Sequence, residues 1–380
     1  MNIYLDNAAT TPVHPDVVAV MAKTISEDYG NPSSTHSHGV KVRALIEDAR
    51  KKVANLLKVS PGEIFFTSGG TEADNMAIRC SVEDLGVKHV ITSKIEHHAL
   101  TLTLEDLHQR GRITLSYVNL LPDGHIDTAH LETLVKANPG SLVALLHANN
   151  ELGNMIDIDA VATLCSQNSC WFHCDTVQTM GHYPLDLQKT KLSFAAAAAH
   201  KFNGPKGIGF IYINSNNKIK PLITGGSQER NMRAGTENVY GIVGLAKALE
   251  IAYEHFETDH KHILELKNYM IQKLRDELPG VTFNGDPEGR SLYKVLNVSL
   301  PPSPYTEMML FKLDIEGISC SGGSACSSGS NMGSHVLAEL NIPADRANIR
   351  FSFGRQNTKD EIDFVVIKLK EMLVDSLVAK

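Results

Sequence analysis

Short apolar runs alternate with amphipathic helical stretches through the first two-thirds of the chain, and this alternation restricts the fold more than any other feature. From Val42 the apolar positions Val42, Leu45, Ile46, Ala49, Val53, Leu56 and Leu57 keep helical spacing. Pro61-Gly62 then breaks the chain, and Glu63–Thr67 reads as a buried strand. His89–Ser93, Ile113–Val118, Leu142–His147, Trp171–Cys174 and Ile208–Ile213 have the same character, with helical stretches such as Leu100–His108 and Ile158–Cys165 between most of them. Strands separated by helices predict parallel βαβ units in a layered α/β sheet. After about Gly241 the pattern changes to a long helical region, about Ile242 to Leu278, then strand-like Val295–Leu300, a helix near Glu307–Leu313, a Ser/Gly-rich loop, strand Ile349–Phe353 and a closing helix from Lys359. That mixture predicts a smaller α+β unit. The 380 residues exceed the roughly 250–300 at which one hydrophobic core stops growing. We therefore expect a large unit over residues 14–250 and a small one formed by residues 1–13 and 251–380.

With 42% hydrophobic and 21% charged residues, the chain has enough apolar surface to bury a core. Its 36 basic against 43 acidic residues leave a formal charge of −7, which argues against nucleic acid or an anionic membrane as the main partner. No window approaches the roughly 18 apolar residues of a membrane helix. The opening MNIYLDNAATTP has no basic segment followed by an apolar one, so the expectation is a cytoplasmic protein. The six cysteines read as reduced thiols in a chain too long to need disulfide staples.

Several constellations suggest chemistry. Thr67-Ser68-Gly69-Gly70-Thr71 stands between a strand and a helix, where a close backbone and free N–H groups suit an anion; an ordinary turn capped by Thr71 is the alternative. Lys201 follows an apolar run and precedes the glycine-rich turn from Phe202 to Gly209, where partial desolvation suits an amine nucleophile. Lys206, within that turn, reads as a surface lysine. Asp175 ends a strand, at the edge where parallel sheets bind ligands, and suits a partner for a pyridine nitrogen or a helix cap. His97 and His98 follow strand His89–Ser93 and suit stacking or proton transfer; two partly exposed loop histidines are the alternative. Ser319–Ser330, rich in Ser, Gly, Cys and Ala, cannot pack a core and reads as a loop presenting Cys326. Cys320 reads as a small buried filler. Cys165, Cys170, His173 and Cys174 do not keep the usual zinc or ferredoxin spacing and read as core residues. Arg350 on its strand suits a carboxylate clamp, as does Arg355, and either also suits a surface.

Taken in order, these segments resemble the cysteine desulfurases of the NifS/IscS type, within the fold-type I, aminotransferase-like pyridoxal phosphate enzymes. The resemblance runs through Tyr4–Pro12, Gly30–Ser34, Phe66–Glu72, Glu96-His97, Asn149–Gly153, Asp175 with Gln178, His200–Gly207, Arg233–Asn238, Ser324–Cys326 and Ile349–Ser352. It implies a large α/β domain with a mainly parallel sheet, a smaller α+β domain, and pyridoxal 5′-phosphate as cofactor. Lys201 would bond the cofactor, His97 would stack on it and move protons, and Asp175 would pair with its ring nitrogen. Gln178 and Asn150 would lie near the cofactor hydroxyl and the substrate, while Gly70, Thr71 and His200 would hold the phosphate. Thr236 would reach the cofactor of a neighbouring subunit, implying a homodimer. Arg350 would bind the substrate carboxylate, and Cys326 would take the sulfur of L-cysteine as a persulfide for an Fe–S scaffold or tRNA-thiolation enzyme. One departure stands out: Ala198 occupies a position that usually carries a phosphate-binding hydroxyl. Alternatives consistent with the same residues are a selenocysteine lyase or another class V β-lyase, and a catalytically idle dimeric adaptor.

Overall fold

The computed structural model, which describes residues 2–322, 334–343 and 345–378, turns the apolar runs into a seven-stranded sheet. After β1 (Ile3–Tyr4), its strands are β2 (Ile64–Thr67), β3 (His89–Thr92), β4 (Thr114–Tyr117), β5 (Leu142–Leu146), β6 (Trp171–Asp175), β7 (Phe194–Ala198) and β8 (Gly209–Ile213). They lie in the order β2-β8-β7-β6-β5-β3-β4. Only β8 is antiparallel to its neighbours, so the other six strands point the same way. β2, β5, β7 and β8 are buried along their whole length, as expected for a sheet covered by helices on both faces.

β7 is the strand that the apolar-run pattern misses. Alanine disfavours strands, and the run Ala195–Ala199 reads only as the apolar run before Lys201, not as a strand of its own. Here it lies between β6 and β8 with alternate faces in different apolar clusters: Ala195 and Ala197 in one, Phe194 and Ala196 in the other. Helix Gly70–Asp84 packs across it. Methyl side chains permit that close approach, and packing overrides propensity.

A three-stranded antiparallel sheet, order β12-β10-β9, is formed by β9 (Thr282–Asn284), β10 (Val295–Ser299) and β12 (Asn348–Ser352). β1 pairs in parallel with β11 (Ile318–Ser319), and Ile3 and Leu5 join an apolar cluster otherwise drawn from residues 263–372. The long helical region divides at His255 into Val239–Glu254 and Phe256–Glu277. The first helix contributes to the cluster of the large sheet and the second to that of the small one. Among the described residues, no helix is long and apolar enough to cross a membrane.

One buried ion pair braces the large sheet. Arg50, from helix Ser37–Leu57, meets Glu229 through two bonds of 2.7 and 2.8 Å and also donates to the Ile64 carbonyl. Glu229 in turn accepts from the Phe66 amide at 2.7 Å. Glu229, Arg230 and Asn231 all have positive φ (43°, 56° and 64°), a conformation costly for side-chain-bearing residues and held here by these bonds. Removing Glu229 leaves Arg50 buried without its main counter-charge. We expect Glu229→Ala to lower unfolding free energy by about 3–5 kcal/mol, read from denaturant midpoints, whereas replacing the nearby exposed Asp48 by Ala should change it little.

Candidate active site

Strand direction places the candidate residues together. Gly70 and Thr71 follow β2, His97 follows β3, Asn150 follows β5, Asp175 ends β6, and Lys201 follows β7. All of these loops leave from the carboxyl edge of the parallel strands, where open α/β sheets bind ligands. With Gln178, His200, Ala8, Ala9 and Arg350 of β12 they line one cavity of about 210 Å³.

The backbone at Gly69 turns through φ 156°, and helix Gly70–Asp84 begins with no side chain capping its first turn. A Cβ on Gly70 would stand 2.6 Å from Val177 Cγ2, so only glycine lets the helix start against the cavity wall. Uncapped N–H groups and the Thr71 hydroxyl are therefore available to an anion.

Lys201 closes the 3₁₀ turn Ala199–Lys201 that ends β7. Its Nζ donates to the carbonyls of Ala8 (2.6 Å) and Ala9 (2.9 Å). The turn is tied to the N-terminal segment through Thr11, whose N–H and hydroxyl both donate to the His200 carbonyl at 2.9 Å and whose oxygen accepts from the Asn203 amide at 2.8 Å. Ala8 and Ala9 of this N-terminal segment thus line the site. Lys206 is exposed.

Burial dominates the electrostatics. Asp175 accepts from the Val177 amide at 2.8 Å, yet desolvation and then the nearby Asp74 push its carboxyl up to about 8. Asp74, which also lines the cavity, is raised well above its ordinary value by burial and lies 3.0 Å from His173 Nε2. Desolvation, followed by the charge of Lys201, pushes His97 down to about 4. His200 is lowered to about 4 for the same two reasons in the same order. His97 caps helix His98–Gln109 by accepting the Ala99 N–H at Nδ1, which assigns the hydrogen of the neutral ring to Nε2. Arg350 is buried, donating to the Asn150 carbonyl at 2.9 Å and to Asp6 at 2.8 Å, and its Nε has no partner among the described residues.

Other expected residues fall elsewhere. Thr236 lines a separate recess of about 220 Å³ beside Ser68 and Arg233. Cys326 lies outside the described residues. Cys165, Cys170 and Cys174 are packed in the core of the large sheet. Cys320 is only partly buried, and Arg355 pairs with Asp259 at 2.8 Å. Asp6, Asp74 and Glu96 are structural members of the site that residue-type reasoning missed. Glu96 carried a signal, an acid beside His97 directly after a strand. Fully buried, it accepts from Ser93 Oγ and the Leu146 amide, each at 2.6 Å.

The profile of the class-V aminotransferase family matches residues 3–365. The curated cysteine desulfurase IscS of Dictyoglomus turgidum is 39% identical over 377 residues, 98% of this chain and 94% of that protein. The cysteine desulfurase IscS of Methanosarcina thermophila is 39% identical over 376 residues, 98% of this chain and 92% of its own length. Among solved structures, a NifS-like protein superimposes with a TM-score of 0.90 at 36% identity, covering 98% of this chain and all of that one.

The Glu96 carboxyl has a measurable consequence. Burial raises it to about 8 from an ordinary value of 4.5, against the opposing bonds from Ser93 and Leu146. The folded protein thus binds a proton that the unfolded chain has released, and this contribution to stability is complete below 4.5 and lost as pH rises through about 8. Glu96→Gln reproduces the protonated shape, with an amide to donate to Ser93 and an oxygen to accept from Leu146. We expect it to flatten the loss of stability between about pH 5 and about pH 9, measured by urea unfolding at both.

Proposed function

The chain belongs to the class-V aminotransferase family and, within it, to the cysteine desulfurases, and from this premise we propose that it removes the sulfur of L-cysteine, releases L-alanine and carries the sulfur as a persulfide on Cys326. Enzymes of this family depend on pyridoxal phosphate. The observation that carries the reading is the single cavity shared by Lys201, Asp175, His97 and Arg350. Its chemistry fits the cofactor. Gln178, which lines it, keeps Oε1 buried with no partner among the described residues, the uncapped turn at Gly70 and Thr71 suits a phosphate, and Asp175 suits a ring nitrogen. Ala198 supplies no hydroxyl, so phosphate binding falls to Thr71, His200 and the helix amides.

When bound, pyridoxal phosphate bonds an amino group and draws electrons from the adjoining carbon. The Asp175 carboxyl, held protonated by burial, would share its proton with the cofactor's ring nitrogen. Lys201 would anchor the cofactor through Nζ and, with that amine free, would take the substrate Cα proton on Nζ. Arg350 turns its guanidinium toward the substrate carboxylate, exchanging Asp6 for it. His97, with its hydrogen on Nε2, donates to sulfur and steadies the thiolate. The Cys326 thiol, having given up its proton, would attack the substrate sulfur to form the persulfide S–SH while the carbon–sulfur electron pair stays with carbon, and the proton that Cys326 released balances the one that joins the carbon that becomes the alanine methyl. We assign cofactor binding to residues 14–250 and the Cys326 loop to the unit of residues 1–13 and 251–380. The working form in this reading is a cytoplasmic homodimer serving a sulfur-acceptor protein, and the separate recess holding Thr236 supports its service to a second copy.

The test is direct: holoprotein with L-cysteine and a thiol reductant should yield alanine and sulfide in equal amounts, and sulfide without alanine would overturn the assignment. Lys201→Ala should lose the cofactor absorbance that borohydride bleaches, with turnover down by roughly 10²–10⁴-fold. Cys326→Ser should keep that absorbance and form no persulfide by mass spectrometry; a persulfide elsewhere at the wild-type rate would remove Cys326 from its role.

A further inference from the structure

Lys294, just before β10, is a lysine only 1% exposed, a rare placement for an amine. Among the described residues no carboxylate pairs with it. Its Nζ lies 2.6 Å from His182 Nε2 and 3.4 Å from the carbonyl oxygen of Lys201. The same His182 Nε2 lies 2.8 Å from that carbonyl, and His182 Nδ1 lies 2.8 Å from the Tyr293 hydroxyl. Two side chains 112 positions apart in sequence thus converge on the peptide that carries Lys201.

We propose that Lys294 and His182 are a positioning pair that grips the carbonyl of Lys201 and so fixes the direction in which its amine enters the cavity. One arrangement of hydrogens satisfies all four contacts. Tyr293 donates to Nδ1, and Nε2–H donates to the Lys201 carbonyl with the Lys294 lone pair as a second acceptor. A neutral Lys294 amine directs one of its own hydrogens to the carbonyl. Burial favours that neutral amine, as do the charges of Lys201 and Arg350 that face it, and burial with the charge of Arg355 keeps His182 neutral as well. Arg355 is itself balanced by Asp259. With Thr11 on the preceding carbonyl, the pair leaves the lysine turn little freedom to rotate. Such restraint matters because a misplacement of about 1 Å in a reacting group costs about 10²-fold in rate.

The inference rests on Lys201 being the cofactor lysine, and the experiment separates the two. In holoenzyme, Lys294→Met keeps length and apolar bulk but cannot bond. Turnover should fall about 10- to 100-fold with KM for L-cysteine changed by less than about twofold, and the visible band of the bound cofactor should shift. His182→Gln, which keeps an N–H for the carbonyl, should retain most of the activity. Should Lys294→Met not fold, Tyr293→Phe, which frees only Nδ1, should give the same band shift with a smaller loss. Unchanged turnover and spectrum in whichever variant folds would overturn the pairing, even if the melting temperature drops. Borohydride reduction and peptide mapping of wild type reads the premise separately: label on Lys201 supports it, and label on another lysine overturns both readings.

Discussion

Because β2, β3, β5, β6 and β7 run in one direction, the loops that follow them leave from one edge of the sheet, and Thr71, His97, Asn150, Asp175 and Lys201 meet across long stretches of sequence. The single reversed strand serves the same end. β8 wedges between β2 and β7 beside the Gly69-Gly70 turn, where a Cβ on Gly209 would stand 2.2 Å from the Ala197 carbonyl and 2.8 Å from Gly69 Cα. Glycine at both positions and alanine along β7 bring helix Gly70–Asp84 and the lysine turn to the same wall.

The interior behind that wall has little fixed charge of its own. Asp74, Asp175 and Glu96 are pushed toward their protonated forms and His97 and His200 toward their neutral forms, in each case chiefly by desolvation. Against this background the cations Lys201 and Arg350 define the field, and Arg350 is already balanced in part by Asp6. A cavity of this kind favours anionic guests, a phosphate and an amino-acid carboxylate among them, while keeping a proton at Asp175 for a basic ring nitrogen.

Much of this was legible in the amino-acid order. Strand runs rich in Val, Ile and Phe, and glycine turns directly after them, fixed the sheet and the approximate places of Lys201 and Asp175. What stayed hidden depends on three-dimensional context. Ala195–Ala199 has no strand signal of its own, because its role follows from what packs on both faces. Asp74 looks like an ordinary surface acid until its burial is known, and Glu96, though it stands beside His97 after a strand, shows its bonds to Ser93 and Leu146 only in the fold. Lys294 and His182 lie 112 positions apart, and no local spacing links them. The break at His255 within the long helical stretch also depends on packing, since its two halves belong to different apolar clusters.

β1 joins β11, and Ile3 and Leu5 complete a cluster otherwise built from residues beyond position 262. During synthesis β1 must therefore wait for residues beyond position 262 before its own core exists, whereas the large sheet has all its strands once Ile213 has emerged. Vectorial folding accordingly completes the large sheet well before β1 meets its partner strand.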